Sequence, residues 1–553
     1  MTTFYYSRSR RKHTRSAAAT LLLALCAAEA DALTFEFGDI AGRFDTVLTA
    51  GASVRTESRS PELVGTDNGG SSDAALNADD GNLNYDKGKI VSAPVKATHD
   101  LEFTGSNWGA LVRASYFYDA GAAETERTEL PRSGRHDFRL LDAYIYGKTD
   151  VAGRPVQLRL GQQVISWGED IFTSGGINAI NAVDVAVLRK PGAILKEAFL
   201  PSPAANLEVG LSDMVQFQTY YQVEWVGARL DPVGSYFSVS DVTGPSRRGL
   251  YFPGFGGDLG PAAVPHRGKE EPSDTGQFGV ALRWQAAGIE TDFGFYYIRT
   301  YSKYPSLGAD FALVPLDPSD PGSPLTPSPI AIFENYKSDI DVFGVSFAKV
   351  IGEASVGGEL SYRPNDFTGI DAFSTFFANG AASLVPGQVV TDDGAVEEQR
   401  WQAILNGVRI FKPSDAYMGE FVGLIGATTF TTIAEISAIY YPSLSDAVVF
   451  DAPVGRTVDD LAWIYTIDAT ATYSGLGGGD LTLAPQVSFT HEFSGTSPNR
   501  YPVEGRKSLR LALNYIYRKA WKGDVGYSMY FGAGAVNDVG DRDYVSTTLT
   551  YSF

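Results

Sequence analysis

The strongest constraint on this 553-residue chain is a repeated pair of amphipathic segments, joined alternately by short and by long connections. Within each segment apolar and polar residues alternate with period two. In segment 108–118, for example, Trp108, Val112 and Tyr116 share one face while Arg113 lies on the other. This period is typical of β-strands with one apolar and one polar face. Aromatic residues near the strand ends are typical of strands that meet both interfaces of a membrane.

Counting these segments predicts about eighteen strands. The connections alternate between short turns and long polar loops, so all the long loops fall on one side. The predicted fold is therefore all-β, an antiparallel transmembrane barrel of the outer-membrane type with long external loops. The stretch 417–441 is longer than one strand needs and could hide a hairpin. Sixteen strands is the alternative count.

The last predicted strand ends on an aromatic residue. Its apolar face carries Leu549, Tyr551 and Phe553, and its other face carries small hydroxyl residues. Chain termini fray unless they are tied down, so an apolar end favours a strand that closes a barrel. Bacterial barrels use such a terminal aromatic residue as a signal to the barrel-assembly machinery, and we predict that role here. The alternative is the edge strand of a soluble sandwich.

The first 32 residues have the pattern of a secretory signal peptide. Basic residues precede an apolar run at 17–28, which is too short to span a membrane and is followed by small-x-small cleavage sites. The only cysteine, Cys26, lies in this run, so no disulfide is expected in the exported chain. We predict a single barrel domain at 33–553, in the outer membrane of a Gram-negative bacterium.

The amino-acid composition limits which partners the protein is expected to bind. The net charge of −20 argues against nucleic acid, which requires a basic surface. The expected surroundings are outer-membrane lipid and lipopolysaccharide, although acidic loops can equally be simply solvated. No cofactor or metal is predicted. The acidic residues at 80–86 resemble a calcium loop, but Tyr85 stands where such a loop needs glycine.

A barrel of sixteen to eighteen strands leaves a lumen wide enough for solutes, which something must narrow. Segment 167–203 is too apolar for a solvated loop, so we predict that it folds inward as a constriction. The alternative is an external loop packed on its neighbours. The predicted lumen and constriction residues are Arg113, Arg159, Gln163, Trp167, Glu169, Asn178, Asn181, Asp184, Arg189, Lys196, Arg283 and Arg510.

The arginines among these residues allow two interpretations. They could form a basic ladder that guides anions, or they could pair with wall carboxylates and brace the barrel, which we favour. In the fourth strand, strict alternation allows only one of Arg139 and Asp142 to face the lumen.

Four sequence blocks resemble a known family. They are 81–88 (GNLNYDKG), 159–168 (RLGQQVISWG), 175–181 (GGINAIN) and 189–192 (RKPG), and they resemble the proteobacterial outer-membrane family called domain of unknown function 1302. Ala182 departs from the family, which commonly has proline there. The resemblance implies a large outer-membrane barrel. It also implies a link to hydrophobic-compound metabolism and to periplasmic or inner-membrane transport components.

The predicted loop 365–399 contains a cluster of phenylalanines, in which Phe373, Phe376 and Phe377 have helical spacing. Together with Phe367 they suggest a hydrophobic lid at the pore mouth, or packing on the barrel rim. The predicted function is a channel for hydrophobic or amphipathic small molecules, with a porin for polar or anionic solutes as the alternative. Scattered histidines and the lack of a nucleophile motif argue against an outer-membrane hydrolase.

Overall fold

The computed structural model describes residues 33–122, 127, 132–254, 262–317, 319–320, 322–445, 450–451 and 456–553. The predicted signal peptide at 1–32 lies outside these residues. Within them, no helix is both long enough and apolar enough to cross a membrane.

Eighteen antiparallel strands, each paired with its neighbours in sequence, form a closed barrel. In chain order they are β1 (Ile40–Arg55), β2 (Pro94–Thr104), β3 (Trp108–Asp119), β4 (His136–Val151), β5 (Arg154–Gln163), β6 (Ser202–Gly210), β7 (Val215–Gln222), β8 (Phe278–Ala286), β9 (Thr291–Thr300), β10 (Ile340–Ile351), β11 (Ala354–Gly369), β12 (Ala395–Phe411), β13 (Thr429–Tyr440), β14 (Leu461–Leu476), β15 (Leu481–Ser494), β16 (Lys507–Tyr517), β17 (Trp521–Phe531) and β18 (Tyr544–Ser552). The predicted fold class is confirmed.

Pairing between the first and last strands closes the barrel. β18 runs antiparallel to β1, from Val47 opposite Ser552 to Arg55 opposite Tyr544. Two further backbone hydrogen bonds join Thr46 and Phe553, at 2.7 and 3.0 Å. Every strand therefore has two neighbours, and the barrel presents no open edge.

Side chains alternate as the pattern predicts. In β3, Trp108, Val112 and Tyr116 are exposed on the outer surface, while Arg113 is buried inside. The predicted overlong stretch 417–441 is a short helix, Gly419–Leu424, followed by β13, so the hairpin behind the sixteen-strand alternative is wrong. Gly426, with φ of +68°, separates the two elements in a conformation that glycine adopts without strain.

A second, smaller sheet lies among the long loops. His266–Glu270 pairs in parallel with Leu325–Asn335, which pairs antiparallel with Ser306–Pro315, and Val389–Asp392 completes the sheet. A helix at Ala372–Asn379 packs on this sheet. Three different barrel loops thus contribute to one layer, which we call the loop sheet.

The remaining elements are short. The helices are Asp80–Leu83, Arg132–Arg135, Val185–Leu188 and Leu195–Ala198, and the 3-10 turns are Pro61–Leu63, Thr66–Asn68, Asp73–Asn77, Ala287–Ile289, Ala381–Ser383, Gly477–Gly479 and Gly534–Val536. Two short strands, Leu33–Phe37 and Ile90–Ser92, pair with β1 and extend the barrel sheet. The short strands outside the barrel and the loop sheet are Ala182–Val183, Phe199–Leu200, Phe450–Asp451 and Arg456–Thr457.

Candidate functional site: the barrel lumen

The chain between β5 and β6, residues 164–201, enters the lumen, and we call it the inner segment. Its first half carries Ile165, Trp167, Ile177 and Ile180, which are buried in one cluster with lumen-facing side chains of β6 to β10. The Trp167 ring lies 5.1 Å from that of Tyr220 and 5.7 Å from that of Tyr296. The apolar sequence of the segment is therefore explained by packing inside the barrel, where burial of these rings stabilises the inward position.

Two wall carboxylates hold the backbone of the same half from the other side. The Glu435 carboxylate on β13 accepts three backbone N–H groups at 2.7, 3.1 and 2.6 Å, from Ile171, Phe172 and Thr173. The Glu359 carboxylate on β11 accepts the N–H groups of Glu169 and Ile177 at 2.8 and 3.0 Å. Irregular backbone in a barrel needs such partners, because each unpaired buried N–H carries a desolvation cost.

Donors from β11 and β12 bind the carbonyl groups of this stretch. Arg363 donates to the Gly175 carbonyl at 2.7 Å, and Gln402 donates to the Ser174 carbonyl at 3.2 Å. Asp366 in turn accepts from Arg363 at 2.9 Å and from Arg400 at 3.5 Å. The segment is thus bound through both donors and acceptors of its backbone.

The second half of the inner segment is attached to the opposite wall. Glu197 forms a buried ion pair with Lys96 of β2, and Lys190 pairs with Asp119 of β3 at 2.6 Å. Close approach to β1 requires glycine there, because a Cβ added at Gly51 would lie 2.6 Å from Cβ of Pro191. The inner segment therefore crosses the lumen from β11–β13 to β1–β3.

The predicted constriction residues occupy different surroundings within this segment. Asn181 uses its amide to bind both backbone groups of Ile165, at 3.0 and 2.7 Å. Asp184 accepts the Val187 N–H at 2.7 Å and pairs with Arg139 at 2.7 Å. Ala182, where the family commonly has proline, pairs with Leu200 in the short strand pair of the segment.

Three further predicted residues lie at the edges of the segment. Gln163 at the end of β5 is buried and donates to the Ala204 carbonyl at 2.8 Å. Arg189 pairs with Asp231 at 2.5 Å and therefore anchors a neighbouring loop. Lys196 is largely exposed, and its nearest acidic partner is Asp100 at 3.9 Å.

Two of the four predicted lumen arginines on barrel strands, Arg113 and Arg510, form ion pairs with carboxylates of the wall. Arg113 binds Asp100 at 2.7 Å and Asp142 at 2.6 Å, and Arg510 binds Asp524 at 2.5 Å. Arg159 instead stacks on a ring, with its guanidinium carbon 4.8 Å from the centre of Tyr144. These contacts fit bracing of the wall better than a free basic ladder.

The expectation that only one of Arg139 and Asp142 faces inward is wrong. The register between β3 and β4 shifts between Val112 and Ala114, which places a bulge in β4. A bulge resets the alternation, so side chains on both sides of it can share one face. Both residues accordingly form ion pairs inside the barrel.

A cavity of about 770 Å³ lies below the inner segment, at the end of the barrel that carries the short turns. Polar and apolar groups both line it, and the polar side chains include Gln157, Glu208, Gln216, Arg283, Asp292, Ser346 and, from the segment, Glu169. Burial raises the pKa of Glu169, and the positive charge of Arg283 opposes this shift. The cavity is large enough to hold a small organic solute.

Asp170 is the titratable group most affected by its position in the segment. Burial is the main reason that its pKa is raised to about 7, and the charges of Glu359 and Glu435 add to the effect. A hydrogen bond from Asn178 opposes the shift. Asp170 therefore changes its charge near neutral pH, at the point where the segment is bound to the wall.

The predicted lid residues lie in two places, on the helix that packs on the loop sheet and on β11. Phe376 is 3% exposed and stacks on Phe311 with ring centres 3.7 Å apart, and Phe373 meets the same ring edge-on at 5.7 Å. Phe377 is 48% exposed. Phe367 lies on β11 and packs against the apolar cluster of the inner segment. The four residues thus belong to two separate clusters.

The sequence profile of the family described as "Protein of unknown function (DUF1302)" matches residues 13–553. The chain belongs to the DUF1302 family. Three of the four blocks that carry this resemblance, at 159–168, 175–181 and 189–192, lie in the inner segment or lead into it. The expected membership is confirmed, and no curated protein matches the sequence.

Solved structures resemble this DUF1302 barrel only distantly. OccAB3 of Acinetobacter baumannii is 8% identical with a TM-score of 0.43, over 93% of this chain and 99% of that one. A BenF-like porin from Pseudomonas fluorescens Pf-5 is 8% identical with a TM-score of 0.41, over 93% and 98%. Pseudomonas aeruginosa OccK2 (OpdF) in complex with glucuronate is 9% identical with a TM-score of 0.39, over 93% and 96%. Likeness at this level carries no argument about function.

Several residues that hold the inner segment of the DUF1302 barrel are absent from the predicted set. Glu359, Arg363, Arg400 and Glu435 all occupy inward positions of β11 to β13. The sequence does indicate that these side chains face the lumen, since charged residues on the polar face of an amphipathic strand are expected inside a barrel. Alternation alone does not show which backbone groups these side chains bind, because those groups lie about 190 to 260 residues away in the chain.

Proposed function

We propose that this protein is an outer-membrane channel for small solutes in which the inner segment is the gate. The single observation that carries this proposal is the crossing of the lumen by a segment bound to opposite walls, directly above a cavity lined by both polar and apolar side chains. A barrel of this size has a lumen that must be narrowed. Hydrogen bonds, ion pairs and the buried apolar cluster hold the segment, and opening of the proposed gate breaks these noncovalent contacts.

The outer surface fits a membrane environment. Large apolar side chains are exposed around the barrel, including Leu160, Phe295, Leu405, Ile467 and Leu513. In water such a surface would cause aggregation, whereas in a bilayer it is the expected lipid-facing band. We place the protein in the outer membrane of a Gram-negative bacterium, in contact with lipid and lipopolysaccharide. The signal peptide, the assembly machinery and further transport components stay predictions.

The lining favours polar and amphipathic solutes. Inward positions on β14 to β18 carry mainly hydroxyl, amide and carboxyl groups: Thr466, Asp468, Gln486, Ser488, Thr490, Asn514, Asp524, Ser528, Ser546 and Thr548. Such groups can exchange hydrogen bonds with a passing solute. Arg113 and Arg510 are neutralised by carboxylates, so neither of them supports anion selectivity.

One observation favours the second candidate, a channel for hydrophobic small molecules. The loop sheet exposes apolar side chains at Phe377, Val385 and Val389, which lie close in sequence on the loop between β11 and β12. An exposed apolar patch of this kind can collect apolar solutes from outside. In this case the solute would reach the lumen from the loop sheet.

Reconstituted liposomes distinguish the two candidates. Osmotic swelling reports the entry of sugars and amino acids of graded size, and an apolar fluorescent dye reports the transfer of hydrophobic solutes. We expect swelling above that of protein-free liposomes, with an upper limit on solute size. Dye transfer without swelling would favour the hydrophobic candidate, and the absence of both would contradict the channel proposal.

A further inference from the structure

The connection between β12 and β13 differs from the other turns at the same end of the barrel. It spans residues 412–428, whereas turns such as 152–153, 287–290 and 352–353 are much shorter. Its helix, Gly419–Leu424, follows a turn in which the Lys412 N–H donates to Asp415 at 2.9 Å. Since a tight turn would suffice to join the two strands, the extra length calls for a separate explanation.

This connection is attached to the outer side of the barrel and not to the lumen. The Phe421 ring meets Phe430 edge-on at 5.4 Å, and Phe430 lies 6.5 Å from Phe411. Phe411 and Phe430 occupy outward positions of β12 and β13, since the inward positions carry the buried Asn406 and Glu435. The hydroxyl of Tyr473 on β14 also donates to the Ile425 carbonyl at 3.2 Å. All these contacts lie at the lipid-facing rim.

Three large apolar side chains of this connection are exposed, beside the exposed carboxylate of Glu420. Tyr417 is 87% exposed and Leu424 is 85% exposed, the highest values among large apolar side chains in the part of the chain that the structure describes. Phe421 is also exposed, while Val422 is fully buried against the barrel. The spacing of residues 417, 421 and 424 places them on one face of a helical turn.

We propose that residues 412–428 lie in the inner leaflet of the outer membrane and anchor this side of the barrel to lipid. We assign lipid as the partner of this surface because its apolar side chains continue the lipid-facing band of the barrel through Phe411 and Phe430. Tyrosine suits the boundary between headgroups and acyl chains, and Leu424 reaches the acyl region. Lys412 supplies a cation at the headgroup level, while the nearby Arg409 lies over the ring of Phe411 at 4.5 Å and pairs with Glu353 at 3.2 Å.

Single-cysteine labelling tests this proposal directly. Cys26 is the only native cysteine, so a Cys26→Ser background accepts one nitroxide label at Leu424→Cys or Tyr417→Cys. Collision with oxygen, which concentrates in lipid, is compared with collision with a water-soluble nickel complex in pure phospholipid vesicles. Val487→Cys on the outer face of β15 is the lipid control, and Asp213→Cys in turn 211–214 is the water control.

We expect the labels at 424 and 417 to match the control at 487, with an oxygen-to-nickel ratio several-fold above that at 213. A ratio equal to that at 213 for both labels would overturn the proposal. Protection from nickel in native outer-membrane vesicles but not in pure lipid would also overturn it, because the occupant would then be a protein. Two separate label positions keep the test valid if one variant does not fold.

Discussion

Replacing Glu435 by glutamine should release the inner segment. The wild-type carboxylate accepts three backbone N–H groups with both of its oxygens, from Ile171, Phe172 and Thr173. Glutamine offers one acceptor oxygen and presents an NH₂ group where the second oxygen stood. At least one N–H of the segment then faces a donor, and the remaining hydrogen bonds lose their charge.

The size of the effect follows from these three contacts. A hydrogen bond to a charged acceptor contributes about 1 kcal/mol more than a neutral one, so the closed position should lose roughly 3 kcal/mol. At about 1.4 kcal/mol for each factor of ten, the ratio of open to closed channels should rise on the order of 100-fold.

Single-channel recording in planar bilayers measures this ratio as the open probability. Asp524→Asn is the matched control, because its carboxylate binds wall groups of β16 and β18 and not the segment. We expect frequent or permanent openings for Glu435→Gln and wild-type behaviour for the control. An open probability unchanged in a correctly folded Glu435→Gln protein would refute the role assigned to Glu435.

Three further predictions follow from other contacts. Because burial raises the pKa of Asp170 to about 7, the closed segment holds a proton that a released, solvated segment loses above about pH 4. The closed position is therefore most stable at low pH, and its free energy advantage falls by at most about 1.4 kcal/mol per pH unit up to about pH 7. Open probability should rise between pH 5 and 7.5 in the wild type and stay constant in Asp170→Asn. Removing the buried ring in Phe376→Ala should cost about 3–5 kcal/mol of packing in the loop sheet and speed cleavage of the loop sheet by protease. The ring of Phe377 is half exposed, so Phe377→Ala should change the cleavage rate little. Equal cleavage rates for the two variants would contradict the assigned packing. Deleting Phe553 removes backbone hydrogen bonds that close the barrel, and should lower the amount of assembled protein in the membrane with no change in the conductance of the molecules that do assemble.

The barrel itself could be predicted from the sequence because its signal is local. Period-two alternation in segments such as 108–118 and 507–519 reports the two environments of each strand directly. The same rule failed at 417–441, where apolar residues of the helix Gly419–Leu424 continue the pattern of β13 without belonging to it. It also failed at Arg139 and Asp142, because strict alternation does not foresee a bulge.

The candidate site was harder to predict because its partners are distant in sequence. The apolar residues of the inner segment, such as Trp167 and Ile177, predicted that it is unsuited to solvent, and both are buried in the structure. Glu359 and Glu435 bind the segment, but in the sequence nothing distinguishes them from other charged residues that face the lumen. The phenylalanines of the predicted lid have helical spacing, but spacing does not show that the helix packs on a sheet built from other loops.

The most direct test of the gating proposal replaces residues 168–178, the part of the inner segment bound by Glu359 and Glu435, with a glycine–serine linker of equal length. Single-channel current is then compared with that of the wild type in the same planar bilayers. We predict small or rare openings for the wild type and large, long-lived current steps for the linker variant. Equal currents from the two correctly folded proteins would contradict the conclusion that the inner segment is the gate.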